Sequence, residues 1–93
     1  MNEENLDNAV FVGKKPTNDY VMTAYKVLSK NQNCVIKARG RAISHAVDVA
    51  EILKNKFLKT AKYADVRIST EVINNADGTE VNVSSIEIEM SPQ

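Results

Sequence analysis

Two short clusters of basic side chains are the part of this sequence best suited to binding chemistry. They contain five cations at close spacing, namely Lys14, Lys15, Lys37, Arg39 and Arg41. Side chains alternate along an extended backbone, so the three cations of the second cluster are expected to point the same way. Gly40 lets the backbone turn or approach a ligand closely, and the N–H groups of the helix expected next favour anions. The clusters indicate a phosphate-binding surface, with an ordinary solvated turn as the alternative interpretation.

The elements around the clusters are predicted to bring them together. The apolar run over residues 9–12 indicates a buried strand, and residues 34–38 indicate a second strand. A helix is expected after each cluster, over residues 18–30 and over residues 42–58, because apolar residues recur there at helical spacing. If the two strands run parallel, both basic loops emerge at the same end of the sheet.

The second half of the chain is predicted to form a β-hairpin. Residues 66–73 alternate between apolar and polar, and residues 74–78 carry a turn signal. The last strand, from Val81 to Met90, changes its apolar phase at Ser84-Ser85, which predicts a β-bulge there. The fold class is therefore α+β, a two-layer β-α-β-α-β-β sandwich with two helices on one face of a four-stranded mixed sheet.

The second helix is apolar over more than half of its circumference, which favours a partner subunit against it in addition to the sheet. Its core stripe is predicted to contain six residues: Ile43, Ala46, Val47, Ala50, Leu53 and Phe57.

Size and composition indicate one small domain. The chain has 93 residues, of which 43% are apolar and 26% are charged, as is usual for a folded domain. We expect a single domain over residues 9–91 and a flexible acidic segment over residues 1–8. The formal net charge is zero, but residues 14–62 carry eleven Lys and Arg against three acids. Residues 63–93 carry one Arg against six acids, so the folded chain is predicted to be a charge dipole with a basic side.

Catalytic and metal chemistry find little support in the sequence. His45 is the only histidine and Cys34 the only cysteine, and nothing pairs them as base and nucleophile. No group of Cys, His or carboxylate residues has the spacing of metal ligands, and no Walker or Rossmann phosphate loop is present. We therefore expect a protein that is not an enzyme and that uses no metal and no cofactor.

The sequence also favours a cytoplasmic location without a membrane. No apolar run is long enough to span a bilayer. The first ten residues are acidic and lack the apolar stretch of a secretory signal. The single cysteine, Cys34, cannot form an internal disulfide, which fits a reducing compartment.

The basic clusters and their surroundings resemble the Alba family of archaeal chromatin proteins. The matching segments include Val12-Gly13-Lys14-Lys15-Pro16 and the run from Val35 to Ser44, which reads VIKARGRAIS. Shorter matches lie at residues 20–21, 46–48, 55–58 and 84–88, and the resemblance covers roughly residues 9–90. It implies the Alba fold, which is similar to the C-terminal domain of translation initiation factor 3 and has the element order predicted above.

The resemblance further implies a ligand, partners and residue roles. Alba proteins form homodimers that bind double-stranded DNA and RNA largely without sequence preference, so the protein is expected to be associated with the chromosome. Phosphates would be contacted by Lys14, Lys15, Lys37, Arg39 and Arg41. Lys14 corresponds to the lysine that is acetylated in some members, which implies an acetylase and a deacetylase as partners. Phe57 would lie at contacts between dimers on DNA, and the hairpin tip would reach toward the minor groove through Asn75, Asp77, Gly78 and Thr79.

The sequence departs from the family pattern in three respects. His45 stands where relatives often have lysine. The hairpin, where relatives often carry arginines, contains Asp77 and Glu80 instead. The chain is neutral, whereas the family is usually basic. Because each lost phosphate contact weakens non-specific binding, we expect a homodimeric nucleic-acid-binding protein with lower non-specific affinity than typical members.

Three alternative functions remain open at the level of the sequence. The protein could be a sequence-selective or regulatory member, or it could bind mainly RNA, because phosphate contacts do not distinguish the two polymers. It could also be a protein-interaction module on the Alba scaffold with little nucleic-acid binding. The neutral charge and the acidic hairpin favour the last alternative, and the intact basic clusters oppose it.

Overall fold

The alternation of strand and helix patterns produces six main elements in the predicted order. The computed structural model describes residues 8–93. The elements are β1 (Ala9–Phe11), α1 (Thr17–Ser29), β2 (Cys34–Arg39), α2 (Ile43–Ile52), β3 (Lys62–Asn74) and β4 (Glu80–Ser91). Of the acidic segment predicted at the N-terminus, residues 1–7 lie outside the described residues, and the Asn8 carbonyl accepts a hydrogen bond from the Val35 N–H at 2.8 Å.

The four strands form one mixed sheet in the order β1-β2-β4-β3. β1 runs parallel to β2, with Val10 beside Ile36. The condition under which both basic loops emerge at the same end of the sheet is therefore met. β4 is antiparallel to both β2 and β3. With two helices on one face of this sheet, the predicted α+β class is confirmed.

The core lies between the helices and one face of the sheet. Every second residue of the central strands points into it, including Ile36, Ile88 and Met90, and α1 contributes Val21 and Leu28. Burying each such side chain stabilises the fold by about 1.5–3 kcal/mol. Among residues 8–93, no helix packs on the opposite face of the sheet, and we call it the outer face.

The predicted core stripe of the second helix is partly wrong. Val47 and Phe57 are 42% and 45% exposed, whereas Val49 is fully buried. The helix does not stay α-helical to Leu58: α2 is followed by a π-helical turn, Leu53–Phe57, in which the Leu58 N–H donates to the Leu53 carbonyl at 2.8 Å. Leu53, at the start of this wider turn, is fully buried, and Phe57, at its end, is half exposed.

The predicted bulge at Ser84-Ser85 is also wrong. The pairing of β3 with β4 runs without a break through these serines, and the register shift lies in β3, between Tyr63 and Asp65. Val81 lies on the sheet face opposite to Ile86, as the apolar phase change requires. Nearly all of β3 and the first half of β4 are exposed, so no core face dictates a single phase along the hairpin.

The helices of the fold are short. Across residues 8–93, none combines the length and the apolar character that a membrane-spanning helix requires.

Candidate nucleic-acid interface

The parallel pairing of β1 and β2 places both basic clusters around one cleft at the ends of these strands. The backbone hydrogen bonding between these two strands continues one residue past the end of β1, because the Val12 N–H donates to the Lys37 carbonyl at 2.8 Å. The cleft has a volume of about 830 Å³, and four of the five predicted cations line it: Lys14, Lys37, Arg39 and Arg41. Lys15 is exposed on the same loop as Lys14 but does not line the cleft.

A buried tyrosine holds the loop that carries the lysine pair. The Tyr20 hydroxyl oxygen accepts hydrogen bonds from the Gly13 N–H at 2.9 Å and from the Lys15 N–H at 3.0 Å. Tyr20 itself is only 8% exposed, so α1 fixes the position of this hydroxyl. The backbone on both sides of Lys14 is therefore anchored, while the lysine side chains remain exposed.

His45, which lies in α2, also holds the β1–α1 loop in position. Its Nδ1 lies 3.0 Å from the Gly13 carbonyl, and its Nε2 lies 2.9 Å from Thr17 Oγ1. Since a carbonyl only accepts, Nδ1 donates to the Gly13 carbonyl, while the Thr17 hydroxyl can either donate to Nε2 or accept from it. The ring also packs edge-on against Tyr20, with centroids 5.5 Å apart. His45 thus positions the loop, a role that its spacing in the sequence does not reveal.

Two of the cations already have carboxylate partners. Lys37 Nζ lies 3.5 Å from Glu87, and Arg39 Nη2 lies 3.1 Å from Glu71. The hydrogen bond from Arg67 and the nearby Lys37 ammonium hold the pKa of Glu87 below its usual range, so this carboxylate is ionised at neutral pH. Exposed ion pairs of this kind contribute about 0–1 kcal/mol, and a phosphate can displace such a carboxylate.

Arg41 reaches the cleft because the chain turns sharply after β2. Gly40 has a φ of +55°, in the left-handed region that glycine adopts without strain. The turn Gly40–Ala42 is a 3₁₀ helix that leads into α2, and no side chain caps the start of α2. The Ile43 N–H, the first of α2, donates to the Gly40 carbonyl, so this turn itself satisfies the start of the helix. Within residues 8–93, neither Arg41 nor Lys14 forms an ion pair.

Phe11 lines the cleft as well, on the outer face of the sheet. The sequence predicts a wholly buried first strand, which is wrong for this residue: Val10 and Val12 are buried, and Phe11 is 60% exposed. Strict alternation along the strand would have indicated this arrangement. Lys37 Nζ lies 5.5 Å from the centroid of the Phe11 ring, in cation–π contact.

The hairpin tip is separate from the cleft, and its polar groups bind one another. The Asn75 N–H donates to the Thr79 carbonyl at 2.8 Å, and the Thr79 N–H and hydroxyl both donate to Asp77, at 3.0 and 2.7 Å. The hydrogen bonds from Thr79 lower the pKa of Asp77, which keeps the tip negatively charged at neutral pH. Gly78 has a φ of +89° and closes the turn.

Phe57 also lies away from the cleft. It packs against Tyr25, with ring centroids 6.0 Å apart, and almost half of its side chain is exposed. A second exposed apolar group, which we call the β3 strip, consists of Val66, Ile68 and Val72. These three residues share the helix-side face of the sheet at its edge strand.

Nucleophilic and metal chemistry gain no support from the geometry. Burial raises the pKa of the Cys34 thiol to about 12, which is opposite to the shift that activates a nucleophilic cysteine. In the part of the chain that the structure describes, no three His, Cys, Asp or Glu residues are grouped so that they could hold a metal ion.

The chain is similar in sequence and in fold to known proteins of one family. The Alba family profile matches residues 8–70. The DNA/RNA-binding protein Alba of Thermoplasma volcanium is 50% identical over 92 residues, which are 98% of this chain and 99% of that protein. Its counterpart in Thermoplasma acidophilum is 49% identical over 92 residues, with the same coverage of 98% and 99%. The solved structure of Alba from Thermoplasma volcanium has a TM-score of 0.84 at 49% identity and covers 90% of this chain and 99% of that chain.

Proposed function

The chain belongs to the Alba family of DNA/RNA-binding proteins, and from that premise we propose that it binds double-stranded DNA as a homodimer, through the cleft at the ends of β1 and β2. The observation that carries the proposal is the convergence of Lys14, Lys37, Arg39 and Arg41 on this cleft. Among the described residues, no carboxylate forms an ion pair with Lys14 or Arg41.

Binding is driven mainly by phosphate contacts. Lys14 and Arg41 meet a phosphate without first breaking an ion pair to a described residue, and Lys15 adds a third exposed cation on the anchored loop. Each phosphate contact releases counterions and contributes about 0.9 to the slope of log affinity against log salt. The complex is therefore salt-sensitive and largely indifferent to DNA sequence, since none of these groups needs a base edge.

Non-specific affinity is lower than that of a strongly basic protein. Lys37 and Arg39 must exchange Glu87 and Glu71 for phosphate, which offsets part of the gain from each contact. The hairpin adds Asp77 and Glu80, which repel the backbone of DNA. The hairpin tip therefore contributes little to DNA binding in this protein.

Dimerisation uses apolar surface that one copy of the chain leaves exposed. The β3 strip, with Ile68 79% exposed, lies on an edge strand whose helix-side face is not covered by the protein's own helices. A second copy that covers this strip would remove apolar surface from water. It would also double the number of basic clefts on one particle, so that two phosphate segments are bound together.

Two further roles follow from family membership. Phe57, exposed beside Tyr25, would mediate contacts between neighbouring dimers on DNA. Acetylation of Lys14 by an acetylase, reversed by a deacetylase, would remove one cation from the cleft and weaken binding. Such a protein would act in the cytoplasm in association with the chromosome, and RNA would be a second ligand because the same phosphate contacts apply.

The test is a titration of a labelled DNA duplex at several salt concentrations with two charge-matched double variants. Lys14→Ala/Arg41→Ala removes the two cleft cations that have no described ion pair, and we expect it to lower affinity at least tenfold and to make the salt slope shallower. Lys26→Ala/Lys30→Ala removes the same charge at the C-terminal end of α1, outside the cleft, and we expect less than a twofold effect.

Equal losses in the two double variants would contradict the cleft as the binding site, because the effect would then follow from net charge alone. No binding by the wild-type protein at low salt, to duplex DNA or to RNA, would contradict the function itself. That result would favour the protein-interaction module instead.

A further inference from the structure

An exposed aromatic ring within a basic cleft is not required for holding a duplex by its phosphates. Phe11 is 60% exposed and lies on the outer face of the sheet, at the wall of the cleft. Its neighbours on that face of the sheet include Lys37, directly across on β2, and the small residue Ala9 on its own strand. Much of the ring is therefore open to a flat ligand.

We propose that Phe11 is a stacking platform for an unpaired nucleobase, so that the cleft binds single-stranded nucleic acid as well as duplex. This inference rests on the proposed function, because the phosphates next to the stacked base would be held by Lys14 and Arg41. In a duplex the faces of each base are covered by neighbouring bases, so only an unpaired base can lie on the ring.

The surroundings of the ring fit this ligand. The cleft has a volume of about 830 Å³, which is within the range of pockets that bind small organic ligands, and a single nucleotide is a ligand of this class. Lys37 Nζ lies over the ring, 5.5 Å from its centroid and 3.5 Å from Glu87, so a base that stacks on this face takes the place of a flexible ammonium group. Aromatic rings that are exposed on an open sheet face near cations bind unpaired bases in other nucleic-acid-binding folds.

Stacking predicts a distinct optical signal. The chain has no tryptophan and three tyrosines, so Phe11→Trp introduces a single tryptophan at the proposed platform, whose fluorescence can be excited selectively. We expect its fluorescence to be quenched by a dT octamer or an rU octamer, and to be much less affected by an abasic octamer with the same number of phosphates. Met22→Trp, at an exposed position of α1 outside the cleft, is the control and should show little change with any of them.

Affinity measurements complete the test. Phe11→Ala should weaken octamer binding roughly tenfold, at least five times more than it weakens duplex binding, because one stacked base contributes about that factor. Phe11→Tyr should restore octamer binding because it keeps the aromatic face. Phe11 is exposed, so these substitutions leave the buried core intact.

The outcomes separate this inference from the proposed function. The stacking role would be overturned if the abasic octamer quenched the fluorescence as strongly as dT and rU do. It would also be overturned if Phe11→Ala lost octamer and duplex affinity equally. Neither result would affect duplex binding. Wild-type protein that binds neither duplex nor octamer would overturn both. A stronger response to rU than to dT would identify RNA as the preferred source of the unpaired base, and the reverse would identify DNA.

Discussion

At the scale of single residues, carboxylates control which cations are available to a ligand. Glu71 and Glu87 line the cleft and pair with Arg39 and Lys37, whereas no described carboxylate pairs with Arg41. The basic residues themselves could be identified from the sequence, because their type and spacing are sufficient. Their ion pairs could not, because Glu71 is 32 positions from Arg39 in the chain and meets it only through the strand order.

Removing the carboxylate partner of Arg39 should strengthen DNA binding. Glu71→Gln frees Arg39 and removes one negative charge from the cleft, and we expect several-fold tighter binding with a salt slope that is steeper by about 0.9 for each new phosphate contact. The measurement is a duplex titration at three or more salt concentrations. Glu80→Gln makes the same charge change on the hairpin, outside the cleft, and serves as the control. An identical gain in both variants would mean that overall charge, and not the release of Arg39, sets the affinity.

At the scale of elements, two short connections position the site. The β1–α1 loop is fixed by Tyr20 and His45, and the β2–α2 turn depends on the positive φ of Gly40. The order of the elements and the positions of the basic loops could be predicted from apolar periodicity and turn residues, whereas the parallel pairing entered the sequence analysis only as a condition, which the structure meets. Loop anchoring could not be predicted, since it depends on contacts such as that between His45 and Gly13, which are far apart in the sequence.

Predictions also failed where packing, and not local pattern, decides the structure. The phase change at Ser84-Ser85 marks a bulge only if one face of the hairpin must be buried, and that part of the hairpin has no helix against it. The π-helical turn over Leu53–Phe57 likewise has no local sequence signal that distinguishes it from an α-helical end. Val47 and Phe57 fit the apolar stripe of the sequence pattern but lie at the surface, and for Val47, in the regular part of α2, the turn gives no explanation.

Removing the Tyr20 hydroxyl should loosen the lysine loop. Tyr20→Phe leaves the N–H groups of Gly13 and Lys15 without their acceptor, and we expect a loss of about 1–2 kcal/mol in the free energy of unfolding. A several-fold loss of DNA affinity should accompany it. Tyr25→Phe is the matched control, because the Tyr25 hydroxyl makes no hydrogen bond to any described side chain or backbone group of residues 8–93. Denaturant unfolding that gives the same free energy for both variants would show that Tyr20 does not anchor the loop.

At the scale of the whole molecule, a neutral chain can still bind an anionic polymer because its charge is unevenly distributed. Residues 14–62 supply the basic cleft, and residues 63–93 supply the acidic hairpin. The molecule measures 45 × 29 × 21 Å over its described residues. The separation of charge is incomplete, because Glu71 and Glu87 line the basic cleft. The β3 strip lies on the same hairpin and is exposed, and it is the surface through which we propose that two copies of the chain associate.

A charge placed in the β3 strip should disrupt the dimer. Ile68→Lys puts an ammonium group at the centre of the strip, and burying it in an interface without a partner is unfavourable. We expect the variant to be monomeric by size-exclusion chromatography with light scattering, under conditions in which the wild-type protein is dimeric. Val81→Lys changes an exposed valine on the opposite face of the hairpin and should remain dimeric. A dimeric Ile68→Lys protein, or a monomeric wild type, would rule out the strip as the interface.

Binding of nucleic acid at the cleft, and not at the hairpin tip, can be tested by nuclear magnetic resonance with selective glycine labelling. The chain has only three glycines: Gly13 and Gly40 adjoin the cleft, and Gly78 is at the hairpin tip. On addition of a short DNA duplex at low salt, we predict that the amide signals of Gly13 and Gly40 shift while that of Gly78 stays in place. A shift of the Gly78 signal alone, or no shift of any signal under conditions in which binding is detected, would contradict the account.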